Sequence, residues 1–418
     1  MPPVNEALAS QYNAIRSRSL EICRPLTIED HVVQPVDDAS PPKWHLAHTT
    51  WFFETFLLKT HLPEHPPFSE AFEYLFNSYY NGVGKQFPRA LRGTLSRPTV
   101  EEVHDYRRHT DQAMNELFTR ELDDDLVFKI TLGLHHEQQH QELMLTDLKY
   151  NLGHNPLTPA YDFDLSLTSA QSNIPLEFRS VSGGIYEIGS QPPSAELFVF
   201  DNESPRHQVL VGDFKISNRV VTNGEYLSFI EDGGYQNPAL WMSDAWALMS
   251  GKEGITKPLY WFERQDGWYE YTLSGLAPLN MQTPVTHVSG YEADAYARWI
   301  GARLPTEQEW EIAASMTQNK DGNFYESGVL HPAPCAQDSE QYFGDVWEWT
   351  NSSYGPYPGF NPFPGQLGEY NGKFMANQLV LRGGSCVTGK THIRETYRNF
   401  FYPKDKWQFT GIRLAQNL

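Results

Sequence analysis

Cysteine is scarce: three residues in 418, Cys23, Cys335 and Cys386, with no Cys-x-x-Cys spacing among them. That scarcity excludes a disulfide framework and a thiolate metal cluster, and it suits a reducing compartment, so a cytoplasmic protein is expected. No run of about 18 apolar residues occurs, and no apolar core follows a basic start at the amino terminus, so neither membrane insertion nor export is expected. Positive charge is also short. Against 52 acidic residues stand 32 basic ones, and the net charge of −20 repels phosphate backbones and anionic lipid surfaces. No nucleic-acid or membrane partner is expected. Glycine and proline are not in excess and 40% of residues are hydrophobic, which excludes a wholly disordered chain.

What is present falls into two halves. Residues 1–155 carry helical patterns: "VNEALASQYNAIRSRSL", "KWHLAHTTWFFETFLLK", "TVEEVHDYRRHTDQAMNELF" with Thr99 as an N-cap, and "DLVFKITLGLHHEQQHQELMLTDLKYNL" stopping at Gly153. Four such segments predict a four-helix bundle. From about residue 180 short alternating pieces separated by Gly, Pro and Asn predict strands, and nine of the eleven tryptophans lie there, which predicts an aromatic core. Residues 156–180, with three prolines and no clear periodicity, are expected to form a strap lying on the protein. The fold class is therefore α+β, a helical domain at 1–155 followed by a second domain at 181–418.

The sharpest chemical signal is "HHEQQHQE". Residues i and i+4 stack on one helix face, so His136 and His140 can aim two imidazoles at one metal ion. The same face carries Leu132, Leu143 and Asp147, which turns the pair toward the bundle interior. A third ligand must come from another helix. His48 in "WHLAHTTW" is the candidate, beside the small Ala47, with His154 a weaker choice and an exposed His45/His48 pair the bland alternative. His-Glu-x-x-His is also the zincin pattern, in which the glutamate acts as general base, so a zinc hydrolase stays open as an alternative.

Taken together, "WHLAHTTWFFE" and "HHEQQHQE" resemble the DinB-like iron-binding bundle of the sulfoxide synthases of ergothioneine biosynthesis. "PVTHVSGYEADAYARWIGARLPTEQEWEIAA", "GDVWEWTNSSYGPYPGF", "LRGGSC" and "TYRNFFYPKDKWQFTGIRLA" resemble the C-type-lectin-like, formylglycine-generating-enzyme type of domain that completes those enzymes. The resemblance implies Fe(II) held by His48, His136 and His140, and an O₂-dependent joining of a thiol to the imidazole of hercynine (Nα-trimethylhistidine). It further implies Arg89 and Arg92 as holders of the thiol substrate's carboxylate and Tyr79 or Tyr80 as catalytic acid, with Tyr370 in the lectin-like half the less favoured phenol. Gln139, Asn399 and Phe400 are the implied hercynine contacts. Phe401 stands where relatives using γ-glutamylcysteine carry an acidic residue, so cysteine is the expected co-substrate and γ-glutamylcysteine the alternative. A selenoneine- or ovothiol-type synthase on the same iron site, or a binding module with a merely structural bundle, are the other readings. A formylglycine-generating activity is not expected, because no second cysteine lies near Cys386. The "GDVWEW" and "LPTE" blocks read as lectin-fold architecture.

Overall fold

A computed structural model of the chain describes residues 3–167, 174–194, 197–249, 254–317, 320–337 and 339–418. They pack as two units that do not follow the chain in one cut. The first comprises Met1–Pro156, Pro193–Asp201 and Asn361–Gly372; the second comprises Leu157–Pro192, Asn202–Phe360 and Lys373–Leu418. The first break falls at Pro156, and two later segments return to the helical unit, which a single boundary near 155 does not describe.

The first unit contains α1 (Pro3–Cys23), α2 (Pro42–Phe53), α3 (Lys59–His61), α4 (Ala71–Phe76), α5 (Val100–Leu117) and α6 (Asp124–Gly153). Local chemistry sets the starts. Pro42 opens α2 at its first position, where a missing N–H costs nothing. Thr99 and Glu102 form a reciprocal capping box before α5, and Asp123 accepts the Leu126 N–H before α6. A π-helical turn at Glu54–Leu58 joins α2 to α3. The long helices α1, α2, α5 and α6 make the expected bundle. Every residue of α2 is buried, because it packs against both α5 and α6. Gly133 makes the α2–α6 crossing close: a Cβ there would lie 2.7 Å from the Phe53 ring, so any side chain would push the helices apart.

Among the described residues the second unit holds twelve short strands and helices α7 (Asn223–Glu231), α8 (Ser243–Met249), α9 (Gly290–Trp299) and α10 (Glu307–Ser315). Thr222, Ser289 and Thr306 each open a helix with a capping box. One four-stranded sheet runs β10 (Asn399–Phe401), β9 (Leu379–Arg382), β8 (Trp347–Ser353) and β11 (Thr410–Gly411), antiparallel except for the β8–β11 pair. Trp310, Trp347 and Trp349 are fully buried, as the tryptophan distribution predicts. The strap belongs to this unit: the Tyr161 N–H donates to the Leu273 carbonyl (2.8 Å), and the Tyr271 hydroxyl donates to that of Pro159 (2.7 Å). Its residues 168–173 lie outside the described residues.

The sequence blocks assigned to architecture build a buried ionic lattice in this unit. Arg398 donates to the Glu307 carboxylate through Nε (2.8 Å) and Nη2 (3.0 Å), and Arg382 bonds Glu311. Arg413 grips Glu348 in a two-pronged pair (2.6 and 2.8 Å) and also donates to the carbonyls of Ser217, Glu340 and Gln341. Such pairs fix geometry because each buried cation meets a carboxylate held in one orientation.

Candidate metal centre

Three imidazoles converge inside the helical unit. His48 comes from α2, His136 and His140 from successive turns of α6, and one nitrogen of each lies within 4.8 Å of the others. The bland alternative for His45 and His48 fails, because both are buried. Packing fixes the ring of His48 from two sides: Trp44 stacks on it at 4.6 Å with an 11° tilt, and Trp51 stacks at 5.5 Å.

The hydrogen bonds set which nitrogen is free. Nδ1 of His48 lies 2.6 Å from the Phe76 carbonyl oxygen, which can only accept, so Nδ1 carries the hydrogen and Nε2 the lone pair. That Nε2 sits 3.2 Å from Nε2 of His136, while Nδ1 of His136 is buried with no hydrogen-bond partner. Burial drives all three imidazoles toward the neutral form, His136 to about 3 and the other two well below the usual range. The neighbouring imidazoles lower His48 and His140 further. Neutral rings with converging lone pairs are what a divalent ion coordinated by imidazole requires, and the residues present fit iron.

Glu137 excludes the zincin alternative. Its side chain is fully buried away from the imidazoles' convergence, accepting hydrogen bonds from Arg16 Nη1 (3.0 Å), Arg107 Nη2 (2.9 Å) and Ser19 Oγ (2.6 Å). Burial opposes its ionisation, yet the two guanidinium groups overcome that and hold the carboxyl down at about 2. A carboxylate so committed cannot take a proton from a metal-bound water.

Arg92 is the second unusual group. It is buried, with its guanidinium 3.4 Å from the centroid of the Trp44 ring, so cation, indole and the His48 imidazole form one stack. Its Nη1 and Nη2 donate only to the hydroxyls of Ser40 (2.9 Å) and Ser78 (3.1 Å), and Nε has no partner. Among the described residues no carboxylate pairs directly with it. Burial, and then the charge of Arg89, disfavour its cation. Arg89 itself is half-exposed and bound to Asp38, donating to that residue's carbonyl at 2.6 Å. The two arginines thus stand in different environments rather than as a symmetric clamp.

Tyr79 and Tyr80 stack at 4.6 Å, and Tyr80 packs against Trp51 and Phe56. Burial pushes both phenols up. Tyr370 lies in the segment that returns to the helical unit, which removes the reason for setting it aside. Its ring is 5.8 Å from His136 and 6.4 Å from Tyr79, and its hydroxyl bonds Oε1 of Gln139. The same segment pins the tyrosine turn: the Glu369 carboxylate accepts the N–H groups of Asn81 (3.0 Å) and Gly82 (2.7 Å), and Gln366 donates to the Gly82 carbonyl. His154 bonds the Tyr150 carbonyl at the end of α6 and is no part of the cluster.

Asn399, Phe400 and Phe401 form β10 of the second unit. Phe400 stacks on Tyr354 at 4.0 Å and 10°, near Phe374, and Phe401 meets the Trp407 edge at 6.1 Å. All three residues are half-buried.

A helical bundle with three converging buried imidazoles that could hold a metal ion, in one chain with a lectin-like unit, defines a two-part class of protein. The DinB superfamily model matches residues 11–144, and the sulfatase-modifying factor enzyme 1-like domain matches 166–342 and 318–418. The chain is 31% identical to hercynine oxygenase of Mycolicibacterium smegmatis, covering 98% of both chains. It is 32% identical to hercynine oxygenase of Mycobacterium tuberculosis over 91% of each. Ergothioneine biosynthesis protein 1 of Schizosaccharomyces pombe is 29% identical over 58% of this chain and 31% of its own length. The chain belongs to the hercynine oxygenase family of ergothioneine-biosynthesis enzymes. No helix among the described residues is long and apolar enough to cross a membrane.

Proposed function

We propose that this enzyme is an Fe(II)- and O₂-dependent sulfoxide synthase that joins cysteine to the imidazole of hercynine. The observation that carries the reading is the set of three buried, neutral imidazoles beside a buried guanidinium with no carboxylate partner. Iron held by His48, His136 and His140 would supply thiolate binding and dioxygen activation at open positions. In the overall reaction the thiol S–H and the ring C–H are lost, a carbon–sulfur bond forms, one oxygen atom ends on sulfur, and the other leaves as water.

The chain's own residues supply the rest. Arg92, desolvated and stacked on Trp44, holds the thiol substrate's carboxylate, with Arg89 contributing charge. A phenol from the set Tyr79, Tyr80 and Tyr370 delivers a proton; burial pushes Tyr79 and Tyr80 up, Tyr79 makes ring contacts with both other phenols, and Tyr370 approaches His136. Gln139, Asn399 and Phe400 contact hercynine, and an aromatic wall suits its trimethylammonium group. Phe401, in place of an acidic side chain, favours cysteine over γ-glutamylcysteine. The reading rests on the resemblance for the second unit's residues and on geometry for those of the helical unit.

The test loads the metal-free protein with Fe(II) anaerobically, offers hercynine or histidine against cysteine, γ-glutamylcysteine or a selenosugar, and then admits air. Hercynine–cysteine sulfoxide as the main product by mass spectrometry is expected. Turnover of histidine or the selenosugar in preference would replace this reading with an ovothiol- or selenoneine-type one.

A further inference from the structure

His45 is buried one turn before His48 and is used by nothing above. Its Nδ1 lies 2.8 Å from Nδ1 of His140, and its Nε2 lies 3.1 Å from Oδ2 of Asp147. Asp147 in turn accepts the Ser40 N–H at 2.7 Å, and Ser40 Oγ accepts from Arg92. Both His45 and Asp147 are 2% exposed.

Two ring nitrogens 2.8 Å apart need one hydrogen between them. The carboxylate can only accept, so a His45 ring with one hydrogen carries it on Nε2 and offers a lone pair at Nδ1. His140 must then donate through Nδ1, which leaves its Nε2 with the lone pair. Were His45 turned so that Nδ1 donated, His140 would hold its hydrogen on Nε2 and could not ligate. The acceptor at Asp147 selects the useful arrangement, just as the Phe76 carbonyl does for His48.

We infer that Asp147 and His45 form a positioning dyad that fixes the tautomer and ring orientation of His140 and so raises metal affinity. The inference rests on the three-histidine reading and adds residues that the site itself does not contain. Partners one step behind a metal ligand orient it and increase its basicity, and their loss costs about 10- to 100-fold in affinity. The dyad differs in kind from the Glu137 network, which braces the helices and touches no imidazole through a hydrogen bond.

The experiment titrates metal-free protein with Fe(II) anaerobically, and with Co(II) as a visible-absorption probe of coordination, without substrates. His45→Phe keeps a ring and removes both nitrogens; His45→Asn restores an acceptor near the Nδ1 position; Asp147→Asn removes the charge at nearly constant shape. Expected are about 10- to 100-fold weaker binding and an altered Co(II) spectrum in His45→Phe, a smaller loss in Asp147→Asn, and partial recovery in His45→Asn. Folded His45→Phe with wild-type affinity and spectrum would overturn the dyad. If His45→Phe does not fold, Asp147→Asn decides alone, and a wild-type affinity and Co(II) spectrum there would also overturn it. His136→Ala, measured alongside, separates the two levels: iron retained there would sink the metal site itself, whereas iron lost there but unchanged in the folded dyad variants would sink only this inference.

Discussion

The two units bury charge in opposite ways. In the lectin-like unit each buried arginine described above meets a carboxylate: Arg398 with Glu307, Arg382 with Glu311, Arg413 with Glu348. In the helical unit Glu137 is matched in the same way by Arg16 and Arg107, but Arg92 is buried against an indole with two hydroxyls as its hydrogen-bond partners and, among the described residues, no carboxylate paired directly with it. A charge matched by its opposite holds a shape; an unsatisfied one awaits a ligand. The contrast therefore divides structural from functional charges within one chain.

The largest expected effect is on the unsatisfied side. His136→Ala or His140→Ala should abolish iron binding and product formation, measured by metal analysis and by mass spectrometry of the reaction. Next comes the satisfied side. Arg413→Leu strands Glu348 in the core and should cost about 3–5 kcal/mol of stability in a denaturant titration. Arg92→Leu sharpens the comparison, because removing a desolvated cation that no carboxylate among the described residues pairs with directly should leave the unfolding midpoint nearly unchanged. Its cost should appear instead as a roughly 10- to 100-fold loss in kcat/KM for the thiol, the loss of a charged hydrogen bond of about 1.5–3 kcal/mol, with hercynine's KM little altered. A destabilised Arg92→Leu with equal effects on both substrates would erase the distinction. The smallest effect is a change of product: Phe at Tyr79, Tyr80 or Tyr370 should shift the ratio of sulfoxide to cysteine sulfinate while iron binding persists. An unchanged ratio in all three would remove these phenols from the mechanism.

Much of this was legible before any coordinates. The i,i+4 histidines and the capping boxes are local patterns, and local patterns survive in sequence: Thr99 caps its helix and Gly153 ends the other. Trp-His-Leu-Ala-His pointed to His48 through the small Ala47 beside it and through the family resemblance of the block. What escaped was long-range pairing. His45 meets a residue 95 positions away and Tyr370 one 231 positions away, and no periodicity reports such contacts. One signal for the dyad was present, since Asp147 shares the helix face of His136 and His140; a carboxylate on an otherwise apolar, histidine-bearing face asks for a partner. The return of two later segments to the bundle had no local signature, because residues 361–372 carry the Pro- and Gly-rich texture of any loop.

Those returning segments bear on how such an enzyme can be taken apart. A fragment cut after Pro156 would keep every proposed iron ligand yet lack Tyr370, its stacking partner Phe200, and the Glu369 carboxylate that pins the Asn81–Gly82 turn. Exchange of the whole downstream sequence with a relative would replace those parts as well. For gene shuffling or domain grafting, the useful breakpoints are consequently five rather than one, and a chimera joined at the obvious seam would inherit its metal site from one parent and the wall of that site from the other.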